Sequence, residues 1–105
     1  MRPYVNINID DNALCMWDAF NKVLNKAFKD YKNTYISEVT FKHVGLPSRN
    51  EIRVRIVSQQ AIRSKPKRIF DEFNKSQWDY RIRDDLISVI KIKNIYVYHI
   101  CIEEK

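Results

Sequence analysis

The spacing of hydrophobic and polar positions along this 105-residue chain switches between a period of two and a period near 3.6. Residues 4–9 alternate apolar and polar side chains, which predicts a half-buried strand. The polar stretch 10–12 supplies candidate N-cap residues, and over 13–31 apolar residues recur every three or four positions. The second pattern predicts a long amphipathic helix whose aromatic and aliphatic stripe packs into a core.

Alternation with period two returns after this helix. Residues 35–44 and 52–57 predict a second and a third strand, separated by a loop over 45–50 that contains the only glycine of the chain. Arg53 and Arg55 fall on the same face of the third strand. They are either part of an exposed sheet face or an extension of a basic surface.

The C-terminal third gives a less uniform pattern. Residues 70–75 fit a helix or a strand, and the alternation over 78–83 favours a strand. Paired aspartates then predict the start of a short helix over 84–90. The β-branched and aromatic run 95–102 predicts the last strand.

The predicted element order is therefore β-α-β-β-α-β. This order indicates an α+β ferredoxin-like sandwich with both helices on one sheet face and a long basic β-hairpin extension. The length predicts a single domain over 1–105. Its globular part is expected over about 1–45 and 84–105, with the extended hairpin over about 46–83.

The positive charge is concentrated in one short segment. The chain has 19 Lys and Arg against 13 Asp and Glu, a formal net charge of +6, and residues 59–69 contain four bases and no acid. Pro66 argues against a regular helix there, so the segment is predicted to be the tip of the hairpin. The tip is either a solvated loop or a phosphate-binding element, since clustered Lys and Arg release counterions from nucleic acid.

Residues suited to catalysis are sparse. The two histidines belong to no metal-binding pattern, and one glycine cannot form a glycine-rich phosphate loop. We therefore expect no enzymatic activity, no cofactor and no metal. Cys15 and Cys101 lie in apolar segments and are expected to be buried free thiols rather than a disulfide. No apolar run reaches a membrane-spanning length, and no signal peptide or presequence is expected.

Several short motifs resemble those of the ribosomal small-subunit protein ten family, called NusE in its transcription role. The run 45–49 (Gly-Leu-Pro-Ser-Arg) precedes a strand that ends at Ser58, as in that family. Arg63-Ser64-Lys65 stands at the family's basic tip, followed by Phe70 or Phe73 at its phenylalanine. The closing segments 86–90 and 96–100 are similar to the family's short helix and last strand.

This resemblance implies a structural, non-enzymatic constituent of the small-subunit head. Such a protein binds ribosomal RNA through the hairpin and packs against neighbouring small-subunit proteins, among them three, nine and fourteen. Gln59 and Gln60 replace the family's proline and histidine, and the composition is rich in Asn, Lys and Ile. Both features suit a divergent mitochondrial ribosome. The candidate RNA-binding residues are Arg49, Arg53, Arg55, Arg63, Ser64, Lys65, Lys67, Arg68 and Lys75.

Two other classes of function fit the same sequence. A small phage or mobile-element regulator of ferredoxin-like fold would bind a host protein. A small nuclease would need a cluster of carboxylates around a divalent metal. The third strand lacks the glycine and aromatic pattern of an RNA-recognition motif, so contact with the RNA backbone is favoured over base stacking. Neither a membrane nor a small-molecule substrate is expected.

Overall fold

The computed structural model of the chain describes residues 10–105, except for the side chains of 84–89. Two helices and four strands follow one another in the order α-β-β-α-β-β. The predicted strand over 4–9 lies outside the described residues. The elements are α1 (Asp11–Phe28), β1 (Thr34–Val44), β2 (Arg49–Ser58), α2 (Ser64–Ser76), β3 (Tyr80–Ile92) and β4 (Ile95–Glu104).

The four strands form one sheet in the order β1-β2-β4-β3, and each neighbouring pair is antiparallel. Strands β2 and β3 consequently run in the same direction on either side of β4. Helix α2 connects them, which makes a split β-α-β unit. The α+β class predicted from the sequence is confirmed.

Helix α1 begins where the sequence predicts it. The Asp10 carboxylate accepts a hydrogen bond from the backbone N–H of Ala13 at 2.7 Å, which satisfies one of the free donors of the first turn. The same carboxylate accepts from the Asn50 side chain at 3.2 Å, and this fixes the start of the helix to the start of β2. The predicted apolar stripe of α1 is buried at Trp17, Phe20 and Leu24, whereas Leu14 is exposed. Met16, outside the predicted stripe, is also buried.

The core lies between the two helices and one face of the sheet. Ile52 of β2 pairs with Ile102 of β4, which pairs in turn with Ile82 of β3, and all three are buried. Each such side chain contributes about 1.5–3 kcal/mol on burial. The helical side of the core is supplied by Met16, Trp17, Phe20, Leu24 and Ala27 of α1 and by Ile69, Phe70 and Phe73 of α2.

The prediction of a hairpin tip over 59–69, and of an extended hairpin over 46–83, is wrong. Residues 64–76 are helical, and β2 lies inside the sheet between β1 and β4. Pro66 does not prevent the helix because it occupies the first turn, where backbone N–H groups have no intrahelical partner. Phe70 and Phe73 are buried against the sheet and α1, and this packing selects the helix.

The short helix predicted over 84–90 is also wrong. Strand β3 continues through this segment to Ile92, with an irregularity in pairing between Arg83 and Ser88. Lys93 and Asn94 have positive φ angles of 47° and 66°, as in a type I′ turn, and join β3 tightly to β4. Pairing with β4 across this turn outweighs the capping tendency of the two aspartates.

The two cysteines are both free, but only one of them is buried. Cys101 is 2% exposed, whereas Cys15 on α1 is exposed, so the expectation of two buried thiols is wrong for Cys15. Burial, with smaller contributions from the charges of Glu51 and Glu103, raises the pKa of the Cys101 thiol to about 12. The thiolate form is therefore disfavoured at Cys101.

We expect the native protein to react with one equivalent of a thiol reagent such as dithiobisnitrobenzoate at pH 8. Cys15 should react rapidly, and Cys101 should react only after unfolding, because it lacks both access and thiolate character. The measurement is the absorbance of the released thionitrobenzoate with and without denaturant. Rapid reaction of two equivalents in the native protein, or of one equivalent in the Cys15→Ser control, would contradict the burial of Cys101.

Candidate nucleic-acid interface

The candidate RNA-binding residues lie on opposite sides of the sheet. The buried positions of β2 are Ile52, Val54 and Ile56, which face the helices, so alternate residues face the other way. We call this second side of the sheet the open face. Arg49, Arg53 and Arg55 lie on the open face, whereas Arg63, Ser64, Lys65, Lys67, Arg68 and Lys75 lie on α2 or at its start.

The end of α1 and the start of α2 are held side by side by three contacts. The backbone N–H of Arg63 donates to Tyr31 Oη at 3.1 Å. The Lys65 ammonium forms a hydrogen-bonded ion pair with the Asp30 carboxylate. Beneath these, the rings of Phe28 and Phe70 lie 6.3 Å apart.

This junction places the end of α1 and the residues just after it, a segment that carries three lysines, next to the basic segment that the sequence singles out. Lys26, Lys29 and Lys32 are exposed in the last turn of α1 and immediately after it. Sequence reasoning missed these lysines as candidates, because the basic segment lies about 30 residues further along the chain. We call the combined surface the basic corner, and its members are Lys26, Lys29, Lys32, Arg63, Lys65, Lys67 and Arg68.

The electrostatics of the basic corner favour an anion. Its one ion pair uses Lys65, whose hydrogen bond and charge lower the pKa of Asp30, so this carboxylate is ionised at neutral pH. Within α2, which is described throughout, the first turn carries no acidic residue and no side chain caps the helix. The positive end of the helix dipole therefore adds to the charges of Arg63 and Lys67.

Tyr98 positions the segment that leads into α2. Its ring is 1% exposed, and its hydroxyl accepts from the Ile62 backbone N–H at 2.7 Å and donates to the Gln60 carbonyl at 3.3 Å. Burial raises the pKa of Tyr98, so the hydroxyl stays neutral and remains a donor. These two bonds connect the sheet to the residues immediately before Arg63.

The Tyr98→Phe change is expected to lower the free energy of unfolding by about 1–2 kcal/mol, because it leaves the Ile62 N–H without its acceptor. Urea denaturation followed by circular dichroism measures this loss. Tyr35→Phe is the matched control, since Tyr35 is 59% exposed, and it should change the free energy of unfolding by less than about 0.5 kcal/mol. Equal effects of the two changes would show that the Tyr98 hydroxyl does not hold this segment.

The arginines of the open face are paired with carboxylates, unlike most of the basic corner. Glu51 and Glu103 are 5% and 3% exposed and lie beneath arginine side chains. The charge of the open face is therefore partly neutralised, and the face is mixed rather than uniformly basic. The ion pairs of the three predicted arginines are Arg53–Glu51 at 2.6 Å, Arg55–Glu38 at 3.3 Å and Arg49–Glu103 at 3.8 Å.

Glu103 is the centre of a larger group on this face. Its carboxylate accepts from Arg81 at 2.9 Å and from Arg83 at 3.2 Å, besides the contact with Arg49. Burial acts to raise the pKa of Glu103, but the hydrogen bonds from Arg81 and Arg83 and the surrounding positive charge together lower it. The charged carboxylate holds three guanidinium groups in place across β2, β4 and β3.

Among the side chains that the structure describes, no group of three or more His, Cys, Asp or Glu is placed to hold a metal ion. Neither described helix is long and apolar enough to cross a membrane. A groove of about 280 Å³ lies between α1 and β1, with Leu24, Phe28 and Ile36 in its wall.

Comparisons with protein-family models, with curated proteins and with solved structures found no match to this chain.

Proposed function

We propose that this protein binds RNA through the basic corner, by contact with the phosphate backbone. The observation that carries the proposal is the packing of α1 against α2, which brings together two helix ends that carry seven cationic side chains, of which Lys65 is paired with Asp30. Cations held on two packed helices neutralise several phosphates at once and release the counterions condensed around them. Backbone contacts of this kind position a protein on RNA without reading its sequence.

The specific assembly that we propose is the small ribosomal subunit, in which the protein would be a structural, non-enzymatic constituent next to other ribosomal proteins. The support is the sequence resemblance around 45–58, together with the basic corner. In this proposal the surface of α2 binds ribosomal RNA, as the hairpin does in that family. A ferredoxin-like relationship belongs to the same proposal, supported by the split β-α-β unit, and so does a mitochondrial location, supported by composition alone.

The basic corner is tested by replacing Arg63, Lys67 and Arg68 together with alanine. All three side chains are exposed, so the fold should be unaffected, and Lys65 is kept because it pairs with Asp30. We expect the affinity for a fluorescein-labelled RNA hairpin of about 20 nucleotides, measured by fluorescence anisotropy in 0.1 M salt, to fall by about tenfold or more.

The matched control removes three other exposed cations, Lys42, Lys75 and Lys105, and so lowers the net charge by the same amount. Lys42 is on β1 and Lys105 follows β4. Lys75, a candidate RNA-binding residue from the sequence, lies in the last turn of α2, at the opposite end of the helix from Arg63 and outside the basic corner. Loss of these three cations should reduce the affinity less than about threefold. They contribute only to the long-range electrostatic attraction between the whole protein and RNA, and make no direct phosphate contacts. An equal loss in both triple variants would contradict a localised site.

The ribosomal part of the proposal has a separate test. Sucrose-gradient fractionation of cells that contain the tagged protein should place it with small subunits in stoichiometric amount. The alanine variant of Arg63, Lys67 and Arg68 should shift to the top of the gradient. A protein that binds RNA in vitro but sediments apart from small subunits would overturn the ribosomal assignment and leave the basic corner intact.

A further inference from the structure

Apolar side chains form a continuous row across the open face, on the side of the sheet away from the helices. Tyr35 of β1 pairs with Val57 of β2, Val57 pairs with Val97 of β4, and Val97 pairs with Ile90 of β3. The row therefore has one member on each strand. With strands about 4.8 Å apart, it is about 14 Å long.

The row is exposed at its two ends and half-buried at Val57 and Val97, and it is widened at the edge of the sheet. Tyr35 is 59% exposed and Ile90 is 47% exposed, and the neighbouring pair Ile92–Ile95 adds two side chains at 56% and 39%. We call these six residues the apolar band: Tyr35, Val57, Val97, Ile90, Ile92 and Ile95. Contiguous exposed apolar surface of this kind marks an interaction site more often than scattered apolar residues do.

Among the described residues beside the apolar band on β1 and β2, exposed arginines outnumber exposed carboxylates. The next positions along β2 are Arg55 and Arg53, whose side chains are 43% and 53% exposed. The acids Glu51 and Glu103 are buried beneath arginines and hold them in position, so they offer little negative surface, whereas Glu38 is 56% exposed and pairs with Arg55. Apolar side chains next to oriented guanidinium groups are complementary to an apolar surface flanked by carboxylates.

We propose that the open face docks an amphipathic helix of a partner protein, with an apolar stripe flanked by glutamates or aspartates. Three turns of helix are about 16 Å long, which matches the length of the row. The apolar stripe would cover Tyr35, Val57, Val97 and Ile90, and the flanking carboxylates would pair with Arg53 and Arg55. A second copy of this chain would bind the open face less well, because its own arginines would repel those of the first copy.

This surface is separate from the proposed RNA-binding site. The basic corner is built by α1 and α2 on one side of the sheet, and the apolar band lies on the other side. Both partners can therefore be bound at once. Loss of peptide binding with unchanged RNA binding, or the reverse, would separate the two proposals.

The probe is a synthetic 18-residue fluorescein-labelled peptide with leucines at helical spacing of three and four, flanked by glutamates. We expect saturable binding by fluorescence anisotropy. The double variant Tyr35→Thr with Ile90→Thr should weaken it about tenfold or more, since these exposed positions accept threonine in a strand. Trp78→Thr is the matched control, because Trp78 is 87% exposed outside the band, and it should change the affinity less than twofold.

Two further arms test the chemistry of the partner. A peptide with the same residues in shuffled order has no apolar stripe and should not bind, and a peptide with lysines in place of the glutamates should bind at least about tenfold more weakly. Arg55→Gln should lower the affinity for the glutamate peptide severalfold and leaves the apolar band unchanged. This variant therefore tests the proposal even if the double variant unfolds. Circular dichroism reports the folding of each variant.

Three results would overturn the proposal. One is the absence of saturable binding below 1 mM peptide. Another is binding of the lysine peptide as tightly as the glutamate peptide. The third is a concentration-dependent dimer, seen by analytical ultracentrifugation, that the Ile90→Thr change dissociates, which would assign the band to a second copy of the chain.

Discussion

Replacing Phe70 with alanine is expected to lower the free energy of unfolding by about 3–5 kcal/mol, the largest effect of any single change considered. Phe70 is 1% exposed on α2, and its ring lies 6.3 Å from that of Phe28 on α1. Truncation removes the transfer free energy of the ring and leaves a cavity between the two helices. Because α2 has a predominantly polar sequence, it depends on this packing to remain helical.

Urea denaturation followed by circular dichroism measures the loss. Trp78→Ala is the control, since Trp78 is another large aromatic residue but 87% exposed, and it should cost less than about 0.5 kcal/mol. The Phe70 variant should also bind RNA more weakly, because the packing of α2 on α1 assembles the basic corner. A loss below about 1 kcal/mol would show that α2 is not packed as described.

The second large effect is expected for Glu103→Gln. Glu103 is 3% exposed and accepts from both Arg81 and Arg83. Glutamine is nearly isosteric but uncharged, so the guanidinium groups lose their anionic partner while the packing is kept. Since Arg81 is half exposed and regains water, we expect a cost of about 2–3 kcal/mol, below the value for a fully buried pair.

The same change should alter how stability depends on pH. The folded pKa of Glu103 lies below the usual carboxyl value of about 4.3. A lowered carboxyl pKa contributes stability that is present at neutral pH and is lost as the pH falls through the folded value. The free energy of unfolding of the Gln variant should therefore fall less steeply than that of the wild type below about pH 4.3.

Urea titrations at a series of pH values from 7 to 3 give the two curves. Glu72→Gln, an exposed position on α2, serves as the control and should give a curve parallel to the wild type. If the curves of Glu103→Gln and wild type stay parallel through the acid range, Glu103 does not hold the arginines as a carboxylate.

Elements with their own uninterrupted periodicity were predictable from the sequence. Helix α1 carries an apolar stripe over five turns with an aspartate at its N-cap, β1 and β2 alternate, and β4 is a β-branched and aromatic run. The sequence pattern does not predict helix α2, because a proline is unfavourable inside a helix. Pro66 is tolerated because it lies in the first turn. For 84–90 the paired aspartates predict a helix start, whereas the segment is a strand because it pairs with β4. Local sequence does not contain this long-range pairing.

The candidate site was predictable only in part. The composition of 59–69 locates the strongest cluster of charge, since it needs no knowledge of the fold. The contribution of Lys26, Lys29 and Lys32 depends on the packing of Phe28 against Phe70, a contact between residues 42 positions apart. The ion pairs of Arg53 and Arg55 depend on strand register and bulges, which the sequence pattern does not determine.

The central claim, that the basic corner binds the phosphates of RNA, is tested most directly by the salt dependence of the affinity. If all seven cations contact phosphates, a plot of log K against log salt concentration for the RNA hairpin of about 20 nucleotides should have a slope of about −6. Replacement of Arg63, Lys67 and Arg68 with alanine should reduce its magnitude by about 2 to 3. An unchanged slope in that variant, or the same reduction when Lys42, Lys75 and Lys105 are replaced, would contradict the account.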